Sequence, residues 1–77
     1  MKIISICGNT DIYTGLRLAG IEGVVVHTSD EFARVFKDTL NDRQVAIIII
    51  TKGLAQKYTK RLDEIRLSRS IPLIVEL

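Results

Sequence analysis

Hydrophobic positions along the chain change period several times, alternating between runs suited to strands and stripes suited to helices. Ile3, Ile4, Ile6 and Cys7 predict a buried first strand, closed by Gly8-Asn9-Thr10-Asp11, residues with turn and helix-cap chemistry. A short helix is expected over about 12–19, with Gly20 as its stop, and Gly23 then opens a second strand over 24–27. Thr28 and Ser29 both suit an N-cap, with Asp30 and Glu31 in the first turn, where the helix dipole favours acids. Phe32, Val35, Phe36 and Leu40 recur at three- and four-residue spacing, the stripe of a helix packed on a sheet, and Asn41-Asp42-Arg43 ends it.

Val45-Ala46-Ile47-Ile48-Ile49-Ile50 is the clearest strand, and its unbroken apolar character predicts a central position covered on both faces. Thr51 suits the cap of one further helix, whose stripe of Leu54, Ala55, Tyr58, Leu62 and Ile65 faces the core. Lys57, Lys60, Arg61, Glu64 and Arg66 then face out; a Lys60–Glu64 pair there is worth only about 0.3–0.5 kcal/mol, so the face reads as solvated. The last strand spans 71–77, with Pro72 tolerable only at its start because proline lacks the ladder donor. The order β-α-β-α-β-α-β predicts one α/β domain over residues 1–77: a four-stranded parallel sheet, order 2-1-3-4, with helices on both faces, as in flavodoxin-like and receiver folds. In such sheets function gathers at the carboxyl ends of the strands, near Gly8 to Asp11 and Thr51 to Gly53.

Composition narrows the partners. Hydrophobic residues make up 47% and charged residues 26%, the balance of a folded soluble domain. A chain of 77 residues buries roughly 60% of its unfolded surface, which leaves room for stabilisation by a partner. The net charge of +2 is too small to imply nucleic acid or an anionic membrane surface. No apolar run approaches the roughly 20 residues of a membrane span, and the first residues lack signal-peptide features. Cys7 is the only cysteine, which rules out an intrachain disulfide and fits a reducing cytoplasm.

The carboxyl edge is where catalytic chemistry belongs, and its residues do not assemble a recognisable set. A receiver-type phosphoacceptor aspartate at the end of the third strand is replaced by Thr51. Cys7 closes the first strand as in phosphocysteine loops, yet the arginine expected six positions later in phosphatases is Tyr13; burial in the strand is the plainer reading. The glycines match neither the Walker nor the dinucleotide spacing. His27 has no second ligand at metal-binding spacing, and two tyrosines without tryptophan make no stacking platform for single strands. No cofactor is expected. A phosphocarrier using Cys7, or a free-standing flavodoxin-like module holding a small anion at the first turn, remain the alternative classes.

Gly8-Asn9-Thr10-Asp11-Ile12-Tyr13-Thr14-Gly15-Leu16-Arg17-Leu18-Ala19-Gly20-Ile21 resembles the signature of the F subunits of V/A-type rotary ATPases. There a Gly-acid turn leads into a Thr/Ser-Gly-Phe-Arg-Leu-x-Gly helix. The likeness extends to Ile48-Ile49-Ile50-Thr51 and to Ile71-Pro72-Leu73-Ile74-Val75-Glu76, nearly the whole chain. Asn9 replaces the usual acid, Lys52 stands where Glu is common, and Leu16 stands for Phe. The family continues past the final strand with a loop and a C-terminal helix, whereas this sequence stops at Leu77, so the resemblance supports docking on the rotor better than a regulatory role of that tail.

The resemblance implies a non-catalytic protein of the central stalk, cytoplasmic and peripheral to the membrane without inserting into it. Its implied partners are the coiled-coil D subunit of that stalk and other ATPase subunits, and its implied role is to help couple ATP hydrolysis or synthesis to proton or sodium transport. Expected contacts lie on the first-strand turn and first helix, at Asn9, Asp11, Thr14, Arg17 and Leu18. The Arg17 guanidinium can fork to a partner carboxylate; an internal ion pair with Asp11 or Glu22 is the competing use.

Overall fold

A computed structural model describes residues 1–77. Its elements run β1 (Lys2–Cys7), α1 (Thr10–Leu18), β2 (Glu22–Val25), α2 (Ser29–Asn41), β3 (Val45–Ile50), α3 (Lys52–Lys57), α4 (Thr59–Ser68) and β4 (Leu73–Glu76). The sheet has the expected order β2-β1-β3-β4, and all three pairings are parallel. The fold class is therefore the α/β architecture read from the sequence. No helix is long and apolar enough to cross a membrane.

The main core lies between the sheet and α2, α3 and α4. Ile6, Ile48, Ile50 and Ile74 project from the strands onto Phe32 and Phe36 of α2, Ala55 of α3, and Leu62 and Ile65 of α4. Phe32 stacks on Phe36 and on Tyr58, with ring centroids 5.3 Å and 4.0 Å apart. The Lys2 ammonium reaches the Asp42 carboxylate at 2.9 Å, tying the start of β1 to the end of α2. That contact raises the Lys2 pKa and lowers that of Asp42.

The opposite face carries α1 alone, packed over β1 and β2. No residue of α1 is fully buried, so this cover is thin. Beneath it Ser5 and Cys7 have no exposed surface. Gly23 pairs with Ser5 across the β1–β2 ladder, and a Cβ at Gly23 would collide with the Ser5 hydroxyl and lie 2.7 Å from the Ser5 carbonyl oxygen.

Several boundaries differ from those expected, each for a local reason. Asn9 is itself the N-cap, its Oδ1 accepting from the Ile12 amide at 2.9 Å, so α1 starts two residues early at Thr10. Gly20 closes it in the left-handed region, φ 88°. The second strand runs 22–25 rather than 24–27, because the His27 amide is drawn to the Glu31 carboxylate at 2.9 Å, into the cap of α2. Of the two cap candidates Thr28 is used, in a reciprocal capping box with Glu31.

The single helix expected after Thr51 is two, separated at Tyr58, where the Thr59 hydroxyl donates to the Ala55 and Gln56 carbonyls. On α4 the ion pairs are Arg61–Glu64 and Arg66–Asp63, in place of Lys60–Glu64. Pro72 stands just before β4 instead of within it.

Candidate functional site

At the carboxyl edge β1 and β3 are held together by side chain as well as ladder. Thr51 follows β3 at the N-cap of α3, yet it makes no cap bond there. Its Oγ1 accepts instead from the Gly8 amide at 2.9 Å, fixing the first turn to the end of the central strand. A shallow depression beside this tie is bordered by Gly8, Asn9, Ile12, Thr51, Lys52 and Leu77. The sequence points to Thr51 as a helix cap and does not disclose the tie, because hydroxyls serve both uses and only the sheet order brings Gly8 alongside.

The depression carries no catalytic constellation. Cys7 is wholly buried, so its thiol meets no solvent-borne donor in this conformation. No group of three His, Cys, Asp or Glu side chains comes together as a metal site. His27 is exposed at the far side of the sheet, after β2.

The five expected contact residues are placed on or next to α1, and they divide by face. Asn9 spends its side-chain oxygen on the helix cap. Asp11, Thr14, Arg17 and Leu18 are all exposed. Leu18 is 85% exposed, a large apolar side chain that the fold does not use. Helical spacing sets Asp11 and Leu18, seven apart, on one flank and Arg17 on the other, with Thr14 between them on the outer surface. The chain's ion pairs are Lys2–Asp42, Arg61–Glu64 and Arg66–Asp63, so the internal Arg17 pairing with Asp11 or Glu22 does not form. The guanidinium stands free on the surface.

A further surface emerges only in three dimensions. On the α1 side, β3 and β4 have no helix over them, and Ile3, Leu73, Val75 and Leu77 are 40%, 59%, 41% and 55% exposed. The sequence signal for it is the alternation in Leu73-Ile74-Val75, where only Ile74 is buried, but a run of apolar residues does not disclose which face is covered.

The profile of the family described as ATP synthase (F/14-kDa) subunit matches residues 4–77. The chain is also similar to the F subunit of the A-type ATP synthase of Methanothermobacter thermautotrophicus, at 33% identity over 75 residues, which covers 96% of this chain and 70% of that relative. No solved structure matches.

Proposed function

This chain belongs to the family of ATP synthase (F/14-kDa) subunits, and we propose that it serves as a non-catalytic rotor component in the central stalk of an A-type ATPase. As a member of that complex it has other ATPase subunits as partners. In this reading it acts as one α/β body over residues 1–77, cytoplasmic and peripheral to the membrane. It grips the coiled-coil D subunit, turns with it, and helps couple ATP hydrolysis or synthesis to proton or sodium transport.

The observation that carries the proposal is the family match along almost the whole chain. The geometry of α1 supports it further. A docking helix needs side chains that the fold leaves unspent, and Arg17 and Leu18 are of that kind: one an unpaired cation, the other an apolar group in water. A guanidinium in that position can take a carboxylate or helix-end carbonyls through two parallel N–H donors. Asp11 and Thr14 offer polar contacts on the same helix, while Asn9 holds its first turn in place.

Charge reversal at Arg17 tests the interface. Arg17→Glu is expected to leave the circular dichroism spectrum unchanged and to weaken capture by the purified coiled-coil D subunit roughly five-fold, about 1 kcal/mol. Capture equal to that of the unaltered chain would remove α1 from the interface without touching family membership.

A further inference from the structure

We infer that the cleft between α2 and the start of α4 binds a small aromatic carboxylate, its ring against the Phe32, Phe36 and Tyr58 cluster and its carboxylate between Lys37 and Arg61. The cleft lies on the face of the sheet opposite α1, so the inference does not depend on the docking surface proposed above.

Helical spacing builds one wall. Ser29, Ala33 and Lys37 stand four apart on α2 and line the cleft together, with Asp30 at the amino end. Ala33 contributes only a methyl group and is exposed, which leaves that wall open at its centre. Tyr58 and Arg61, three apart across the break between α3 and α4, make the other wall. Phe32 and Phe36 close the base and are 2% and 1% exposed. The cleft has a volume of about 520 Å³, against about 310 and 380 Å³ for the other two depressions in the chain. Small-molecule sites run from roughly 300 to 1,000 Å³.

The rings select the body of the occupant. Phe32 lies nearly parallel to both neighbours, with interplanar angles of 15° to Phe36 and 3° to Tyr58. A planar ring entering the cleft extends this cluster through edge-to-face or offset contact, which an aliphatic chain cannot do. An inorganic anion would leave the ring surface unused.

The charges select its head group. Lys37 makes no ion pair. The Arg61 guanidinium sits 5.7 Å from the centroid of the Phe36 ring, and its partner Glu64 is 4.0 Å away in an exposed pair of little strength. It is therefore free to turn two parallel N–H donors on an incoming carboxylate. The Lys57 ammonium, 5.7 Å from the Tyr58 centroid, adds positive charge beside the same wall. Asp30 is the one acid lining the cleft, and seven residues of helix place it about 10 Å from Lys37 along α2. This polarity sets the carboxylate at the Lys37 end and repels it from the other.

Titration of the isotope-labelled chain with 2-naphthoate tests the site. The amide signals of Ala33, Lys37 and Arg61 are expected to shift and to saturate. Naphthalene-2-carboxamide, of the same shape without the charge, is expected to bind about five-fold more weakly, and Lys37→Gln to lose affinity for 2-naphthoate by about the same factor. Cyclohexanecarboxylate is expected to bind more weakly than 2-naphthoate because it lacks the ring contact. Ala33→Leu fills the centre of the wall at an exposed helical position; it is expected to keep the circular dichroism spectrum and to bind at least about ten-fold more weakly. Shifts that never saturate, or that centre on Leu73 and Val75 of the open sheet face, overturn the site. Equal binding of carboxylate and carboxamide overturns the role of Lys37 and Arg61, and undiminished binding by a folded Ala33→Leu chain overturns the location.

Discussion

Ser5 and Gly23 show how a single missing side chain sets the spacing of this sheet. The Ser5 hydroxyl is buried without a hydrogen-bond partner and occupies the space a Cβ on Gly23 would need. A buried unsatisfied hydroxyl costs about 1–3 kcal/mol, so Ser5→Ala is expected to be neutral or stabilising by about 1 kcal/mol. Gly23→Ala is expected to destabilise by about 1–3 kcal/mol through overpacking. The double variant should recover only part of that loss, because the Ser5 backbone oxygen remains 2.7 Å from the new Cβ. Denaturant midpoints of the three variants check the prediction, and strict additivity of the two single effects would contradict it. Nothing in the sequence disclosed this pair, since Gly23 serves equally as a turn residue and the contact depends on which strand lies beside β1.

Among the elements, α2 shows most directly how sequence chemistry becomes a boundary. The His27 and Thr28 amides donate to the Glu31 carboxylate, and the Glu31 amide donates to the Thr28 hydroxyl. The His27 backbone bond, with the Thr28 bonds behind it, holds the Glu31 carboxyl below the usual carboxylate range. A carboxyl depressed in the folded state stabilises fully above its unfolded pKa of about 4.3, and that contribution is lost as pH falls through the folded value. Amide exchange in the first turn of α2, corrected for its intrinsic pH dependence, should therefore lose protection as pH drops below about 4. Glu31→Gln should flatten that loss, and an unchanged pH profile in the variant would contradict the role given to Glu31.

The Thr28–Glu31 cap, the stripe of Phe32 and Phe36 and the unbroken β3 were legible in the sequence because each states its environment locally. The break at Tyr58 was not legible. The stripe Leu54, Ala55, Tyr58, Leu62, Ile65 continues in helical register across it, and the interruption lies in the Tyr58 backbone, at φ −115° and ψ 28°, beside which the Thr59 hydroxyl donates to the Ala55 and Gln56 carbonyls. The residues proposed for docking on α1 are exposed, as positions of a resembling helix suggested, but their division between two flanks required the helix to be set on the sheet.

Taken whole, the molecule is lopsided: three helices and the aromatic stack cover one face, while one thin helix and an open apolar strip make the other. Burying surface of this kind against a partner is a route to stability for a chain of 77 residues, whose own core is small. The asymmetry also separates the body that keeps the fold from the surface proposed for docking. Arg17 and Leu18 lie away from the main core, so variants there should alter association while the fold persists. The most direct measurement is a cryo-electron microscopy map of the assembled A-type ATPase carrying this chain with a recognisable tag. The proposed role predicts density for the chain on the central stalk, with the α1 side turned towards the coiled coil. Density on the peripheral stalk or the head, or on the central stalk with the α2 and α4 side against the coiled coil, would contradict it.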